Sequence, residues 1–177
     1  MSPGLAVEVT RTYLQMTRPD QVRGAPIEDP DVRLERARRC PVSFYRYLYR
    51  EVGRRYHWVD RLPWSDEQVR AHLDQETLSL WVLHVEGSPA GFFELLRHDD
   101  GSVEIAYFGL LPEFHGRGLG RHLLTEAARR AWAEGPSRVW LHTCTLDDPA
   151  ALPNYTARGF EAFRQETYLA TLPERPK

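Results

Sequence analysis

The stretch Leu110-Leu111-Pro112-Glu113-Phe114-His115-Gly116-Arg117-Gly118-Leu119-Gly120-Arg121 joins a strand-like run to the most regular helix of the sequence. Its alternating glycines predict a turn in which the backbone approaches a ligand closely. The apolar positions that follow recur at helical spacing and predict a helix over residues 119–134. Because free N–H groups at the start of a helix attract anions, the segment predicts a pyrophosphate site.

Two other kinds of phosphate-binding loop do not fit this segment. A P-loop requires Lys followed by Ser or Thr after its last glycine, whereas Arg121-His122 follows Gly120. A dinucleotide-binding loop has the spacing G-x-G-x-x-G after a first strand, whereas the spacing here is G-x-G-x-G deep in the chain. Both alternatives are therefore excluded.

Upstream of the glycine turn, strand-like runs at residues 78–85, 90–96 and 103–111 are separated by short turns, which predict an antiparallel meander. Residues 19–41 are predicted to be a long connection. The remaining predicted elements are strands at 5–16, 138–145 and 160–170, and helices at 43–53, 65–73 and 148–159. The last helix is expected to begin with Asp148 as its N-cap and to be disturbed by Pro153.

Length and composition favour a globular protein, and the order of the predicted elements describes a mixed α/β fold. The 177 residues are 42% hydrophobic and 27% charged, ordinary values for a soluble chain. We therefore predict one domain, 1–177, of mixed α/β class, with a central, mostly antiparallel sheet flanked by helices.

Several classes of location and partner are disfavoured by the same sequence. The first residues lack the basic and apolar regions of an export signal, and no apolar run approaches the ~20 residues that cross a bilayer, so a cytoplasmic protein without membrane contact is expected. A net charge of −2 disfavours nucleic acid as a partner. The two cysteines, Cys40 and Cys144, have neither metal-ligand nor disulfide spacing, and Cys144 is predicted to be buried core.

A second motif follows the glycine turn. Residues 148–160 match the pattern N-x-x-A-x-x-x-Y-x-x-x-G-F at Ala151, Tyr155, Gly159 and Phe160, with Asp148 in place of Asn. Residues 115–120 match [QR]-x-x-G-x-[GA], with His115 in place of Gln or Arg. With both motifs in this order, the sequence resembles the GNAT (GCN5-related) N-acetyltransferase family.

The resemblance implies a GNAT-like acyl-CoA N-acyltransferase fold, acetyl-CoA as co-substrate and no metal. It also implies direct transfer of the acetyl group, in a ternary complex, to a primary amine of a small molecule or peptide, and a homodimer is expected because dimers are common in the family. The backbone N–H of Leu110 would polarise the thioester carbonyl, and Asn154 would contact the pantetheine arm. The pyrophosphate would be held by His115, Gly116, Arg117, Gly118, Leu119, Gly120 and Arg121.

Two residues are candidates for proton transfer. A primary amine with a pKa near 10.4 is only ~0.04% neutral at pH 7, so its attack on a thioester needs a base. Glu104 resembles the general-base glutamate of the histone acetyltransferase branch, although its alternating strand is equally compatible with a solvated glutamate; His142 and Glu94 are further candidates. Tyr155 stands where the family has its general acid, and a tyrosine that only packs on the sheet is the alternative.

The sequence leaves alternatives open both for the role of the aromatic cluster and for the function. Aromatic residues cluster between Phe44 and Trp64, where GNAT folds build the acceptor wall, yet ordinary core gives the same pattern. A non-catalytic acyl-CoA-binding module is the alternative function. Such a module would keep the glycine turn but would not need Glu104 or Tyr155.

Overall fold

A seven-stranded sheet with helices on both faces makes up residues 5–172, which are the residues described by the structure, a computed structural model. The predicted domain, 1–177, extends outside the described residues at both ends. The strands are β1 (Leu5–Met16), β2 (Val32–Arg36), β3 (Leu78–Val85), β4 (Ser88–Arg97), β5 (Ser102–Leu110), β6 (Arg138–Cys144) and β7 (Glu161–Leu172). The helices are α1 (Val42–Gly53), α2 (Asp66–Leu73), α3 (Leu119–Ala133) and α4 (Ala151–Ala157).

The sheet has the order β2-β3-β4-β5-β6-β1-β7, and every neighbouring pair is antiparallel except β5 and β6. The mixed α/β class with a mostly antiparallel sheet is thereby confirmed, as is the β3-β4-β5 meander. Glu86 and Gly87 both have positive φ, 50° and 82°, as a two-residue turn between twisted strands requires. This tight turn explains why β4 begins at Ser88, two residues before the predicted start.

The two faces of the sheet are covered by different helices. On one face, α3 and α4 pack against a core in which α3 contributes the predicted apolar stripe, buried from Leu119 to Ala131, with Trp132 half-buried. On the other face, α1 and α2 pack against β3, β4 and β5. The predicted capping box of α2 is confirmed, because Ser65 and Gln68 exchange side chain–backbone hydrogen bonds of 3.2 and 2.8 Å.

Two predictions of local structure are wrong. The predicted connection at 19–41 contains the edge strand β2, which pairs with β3. Helix α4 begins at Ala151 rather than at Asp148, although Asp148 Oδ1 still accepts a hydrogen bond from Ala150 N at 2.8 Å. Pro153 therefore lies in the first turn of α4, where no intrahelical N–H bond is lost and no kink is imposed.

A strap formed by residues 22–27 crosses the outer side of α3. Thr125 Oγ1 accepts a hydrogen bond from Ala25 N at 2.9 Å, and His122 Nδ1 accepts one from Ile27 N at 3.0 Å. His122 is 7% exposed, and burial lowers its pKa. Acceptance at Nδ1 requires the neutral ring, so the strap depends on the protonation state of His122.

We expect the free energy of unfolding to decrease as the pH falls below about 6.5, because the strap requires a neutral His122. The unfolded chain binds a proton at His122 near pH 6.5, whereas the folded chain resists it, so stability is complete above pH 6.5 and is lost as pH falls through the lowered pKa. Glutamine at this position keeps a hydrogen-bond acceptor that does not titrate. Between pH 7.5 and 5.5, the free energy of unfolding of His122→Gln should therefore fall by about 1 kcal/mol less than that of the unsubstituted protein. Urea unfolding at both pH values measures the difference, and parallel losses in the two proteins would contradict it.

Candidate active site

The cleft of this protein is a wedge between two strands that start as neighbours and then separate. Within the described chain, β5 and β6 pair only from Ser102 to Glu104. Ala106 is then an extra residue in β5, because Glu94 pairs with Tyr107 while Leu95 pairs with Ile105. Beyond this bulge β5 follows β4 and β6 follows β1, which opens a cleft of about 1520 Å³ between them.

At the wide end of the wedge lies the start of α3. Gly116 and Gly118 have positive φ, 78° and 75°, which side chains disfavour, and Gly118 is the N-cap. Within residues 5–172, the backbone N–H groups from Gly116 to Arg121 have no hydrogen-bond acceptor. These donors, together with the helix dipole, form a site for an anionic group such as a pyrophosphate.

The passage from this anion site into the wedge is narrow and partly polar. Gly120 lies between Leu110 and Asn154 at this point: a Cβ there would be in ordinary contact with both, 3.8 Å from Leu110 Cδ1 and 4.0 Å from Asn154 Nδ2, and a larger side chain would fill the space. Asn154 Nδ2 donates to Gly120 O at 3.2 Å, while Asn154 Oδ1 is buried without a partner among the described residues. A buried acceptor in an open passage suits a ligand with amide N–H groups, such as the pantetheine arm of coenzyme A.

The end of β5 presents a backbone donor to the wedge. Leu111 N donates to Ala90 O of the β4 strand at 2.8 Å, and since backbone groups alternate along a strand, those of Leu110 face the wedge. His115 Nε2 lies 3.3 Å from Leu110 O, which ties the glycine turn to the strand end. The Leu110 N–H is thus free to stabilise negative charge on a carbonyl oxygen.

The narrow end of the wedge holds a carboxylate between two imidazoles. Glu104 is 9% exposed; its Oε2 lies 2.8 Å from His98 Nε2, and its Oε1 lies 3.9 Å from His142 Nε2. Burial lowers the pKa of His142 despite the nearby charge of Glu104. Glu104 therefore faces the cleft rather than bulk solvent, which removes the solvated alternative left open by the sequence.

Tyr155 lines the wall between the two ends. It is 7% exposed, and its ring packs edge-on against Phe108 and Phe160. Burial raises the pKa of Tyr155, and the nearby charges of Asp147 and Asp148 raise it further. Tyr155 is therefore protonated at neutral pH, so its hydroxyl can donate a hydrogen bond to a group bound in the cleft.

Comparison with known proteins identifies this arrangement. The model of the Acetyltransferase (GNAT) family matches residues 44–160, more than half of the chain. The chain belongs to the GNAT acetyltransferase family. Glycine turn, wedge and Tyr155 all lie within the matched segment.

Individual relatives agree with the family. An uncharacterized N-acetyltransferase of Mycobacterium tuberculosis is 30% identical over 77 residues, which cover 44% of this chain and 49% of the relative. A solved GCN5-related N-acetyltransferase from Kribbella flavida is 20% identical with a TM-score of 0.65, over 94% of this chain and 59% of that one. An aminoglycoside acetyltransferase from an uncultured soil metagenomic sample, solved with sisomicin, is 15% identical with a TM-score of 0.60, over 72% of this chain and 88% of that one. The match thus spans about half the length of the curated relative.

The cleft of this GNAT chain brings together most of the predicted site residues, namely Glu104, Leu110, His115, Gly116, Gly118, Gly120, Arg121, Asn154 and Tyr155. Two predicted residues do not line it: the exposed Arg117 extends over the Phe114 ring, 5.7 Å from its centroid, and the Leu119 side chain is 2% exposed in the core. In this structure these two residues contribute their backbone N–H groups to the glycine turn. Cys144, predicted to be buried core, is half-buried and lines the cleft, because β6 has left β5 at that point.

One wall of the GNAT cleft is formed by the loop between α1 and α2, whose residues from Tyr56 to Arg61 line it. Of the predicted aromatic cluster, Tyr56 and Trp58 line this wall, and Trp58 also packs against Tyr107 at 4.8 Å between ring centroids. Sequence reasoning missed Arg11 and Tyr168, which line the opposite wall from β1 and β7. No local signal marks them, since only the pairing of the first and last strands brings them to the cleft.

Glu94, a candidate base in the sequence, is not part of the cleft wall. Its side chain is fully buried, and its carboxylate is held by Arg61, Tyr45 and His72. Burial alone would raise the pKa of Glu94, but His72 and Arg61 outweigh it and hold the pKa below its ordinary value. A carboxylate with all its acceptor positions filled is structural rather than basic.

Residues 5–172 contain neither a membrane-spanning helix nor a cluster of metal-ligating side chains. No helix there is long and apolar enough to cross a membrane. In the same part of the chain, no group of three or more His, Cys, Asp or Glu side chains is arranged to hold a metal ion.

Proposed function

We propose that this GNAT chain transfers an acetyl group from acetyl-CoA to a primary amine by direct attack in a ternary complex. The observation that carries the proposal is the wedge itself, with free N–H groups at one end, Glu104 at the other and Tyr155 between them. Acetyl-CoA supplies the acetyl thioester. The turn at residues 115–121, Leu110 and Asn154 would hold it, and the open passage at Gly120 fits that role.

Each residue then has a chemical task. Glu104 removes a proton from the acceptor ammonium; because Oε2 is bonded to His98, Oε1 is the oxygen that faces the amine. The Leu110 N–H stabilises the oxyanion that forms during attack. Tyr155 donates to the departing sulfur, and since its pKa lies above that of a thiol, it stabilises the thiolate mainly through a hydrogen bond.

Cofactor binding can be tested by thermal unfolding. Acetyl-CoA and free CoA at 100 Kd should each add about 2.7 kcal/mol, which raises Tm by roughly 5–10 °C in a chain of this length, whereas NAD and ATP should not. Gly120→Val fills the passage between Leu110 and Asn154 and should abolish the shift with both CoA species. Ala133→Leu adds bulk on the exposed side of the same helix and should keep the shift. No shift with the unsubstituted protein would overturn the proposal.

Turnover separates catalysis from simple binding. Release of the CoA thiol should require an amine, and the amines to try are an aminoglycoside such as sisomicin, peptides with a free N-terminus and peptides with an internal lysine. The aminoglycoside is included because of the structural neighbour solved with sisomicin. CoA binding without thiol release from any amine would instead favour the acyl-CoA-binding module.

A further inference from the structure

A side-chain hydrogen bond joins two loops that line the cleft. Tyr56 OH donates to Asp148 Oδ2 at 2.8 Å, and both residues line the cleft. Tyr56 lies in the loop between α1 and α2, whereas Asp148 lies in the loop between β6 and α4. The bond therefore joins two loops that are 92 residues apart in sequence.

Each loop is fastened to a different strand of the wedge. Two residues after Tyr56, Trp58 packs on Tyr107 of β5, and Arg61 is held by the buried carboxylate of Glu94 on β4. Asp148 follows the end of β6 and is oriented by the Ala150 N–H. Because β5 and β6 have no backbone pairing past Glu104 in the described chain, the Tyr56–Asp148 bond adds a side-chain link between the two sides beyond their paired residues.

The two partners are in the protonation states that the bond requires. The Ala150 N–H lowers the pKa of Asp148 and outweighs burial, so the acceptor is a carboxylate at neutral pH. Burial and the hydrogen bond to Asp148 raise the pKa of Tyr56, so the donor keeps its proton. Both groups also contribute to the raised pKa of Tyr155, which places the bond within electrostatic reach of that hydroxyl.

We propose that the Tyr56–Asp148 hydrogen bond is a latch that closes the cleft over Tyr155 and keeps water away from the acetyl thioester. The inference rests on the proposed function. In the unwanted reaction, a water oxygen bonds to the acetyl carbon and the C–S bond breaks. One water proton ends on the sulfur and the other is released to solvent, which gives acetate and CoA. Tyr56 and Asp148 are positioning residues, since they act by holding the two walls together.

Tyr56→Phe removes only the hydroxyl of the latch. We expect acetyl-CoA hydrolysis without an amine to rise about five- to tenfold, the population shift that loss of one net hydrogen bond allows, while the Kd for CoA stays within twofold. Amide hydrogen exchange of residues 54–61 should accelerate by a similar factor, even without ligand. Tyr47→Phe is the matched control, because it removes a hydroxyl from a tyrosine of α1 that is 42% exposed and outside the cleft.

A conservative variant separates the latch from a general loss of structure. In Asp148→Asn the amide can still hydrogen-bond the Tyr56 hydroxyl, so hydrolysis should change less than twofold, and in the Tyr56→Phe background the substitution should add nothing. Unchanged hydrolysis and exchange in Tyr56→Phe, with CoA binding intact, would overturn the latch and leave the proposed function standing. Failure of the unsubstituted protein to bind CoA would overturn the proposed function, and the latch with it.

Discussion

Glu104→Gln is expected to lower kcat/KM for the acceptor amine by about 10²–10⁴-fold, the contribution of a general base, while the Kd for CoA should stay within twofold. Glutamine keeps the shape of the side chain and can still accept the hydrogen bond from His98, so only the capacity to take a proton is lost. Steady-state thiol release with a reactive amine measures the effect, and titration calorimetry measures CoA binding.

Two variants make this result specific to Glu104. Glu35→Gln changes an exposed carboxylate on β2 and should leave turnover unaltered. His142→Gln tests the neighbouring imidazole, which burial keeps neutral and which is therefore the competing base. A large loss in His142→Gln combined with near-normal turnover in Glu104→Gln would transfer the role to His142.

The orientation of Glu104 shows where sequence reasoning stopped. Alternation along β5 predicted a strand but could not say which face Glu104 occupies or what covers it. Its burial depends on His98 from the β4–β5 turn and on pairing with Trp140 of β6. These contacts join β5 to residues outside it, so the spacing of hydrophobic residues within β5 does not predict them.

Elements determined by local chemistry were predicted well. The capping box of α2 and the glycine turn before α3 depend on residues within a few positions of one another, and both have the expected form. The edge strand β2 was missed because it is short and mostly exposed, and its alternation covers only the four residues from Val32 to Glu35. It forms because the backbone N–H and C=O groups along the edge of β3 pair with those of residues 32–36.

The latch also depends on a contact that local patterns cannot predict. Asp148 departs from the asparagine of the family motif, and on sequence it reads only as a helix cap. In the structure one carboxylate oxygen accepts from Ala150 N, as a cap would, and the other accepts from Tyr56. A single residue thus hydrogen-bonds the backbone at the start of α4 and also holds the loop between α1 and α2.

The same loop is fixed at its other end by a buried ionic cluster. Arg61 Nη1 lies 2.7 and 2.9 Å from the two oxygens of Glu94, which is 0% exposed, and the guanidinium stacks over Tyr107 at 4.2 Å from the ring centroid. Tyr45 OH donates to Glu94 at 2.6 Å, and His72 Nε2 lies 3.1 Å from it. Because these groups are withdrawn from water, removal of one charge leaves the other without solvation or a counter-ion.

Arg61→Met is accordingly expected to lower the free energy of unfolding by about 3–5 kcal/mol, measured by urea unfolding at pH 7.5. Methionine keeps apolar contact with Tyr107 but leaves the Glu94 carboxylate without its guanidinium partner. In a Glu94→Gln background no buried charge is stranded, so the same substitution should cost at least about 2 kcal/mol less. Arg54→Met, in an exposed ion pair with Glu51, should change stability by no more than about 0.5 kcal/mol. If Arg61→Met lowers the free energy of unfolding equally in the two backgrounds, Arg61 holds the loop between α1 and α2 by packing on the aromatic rings alone.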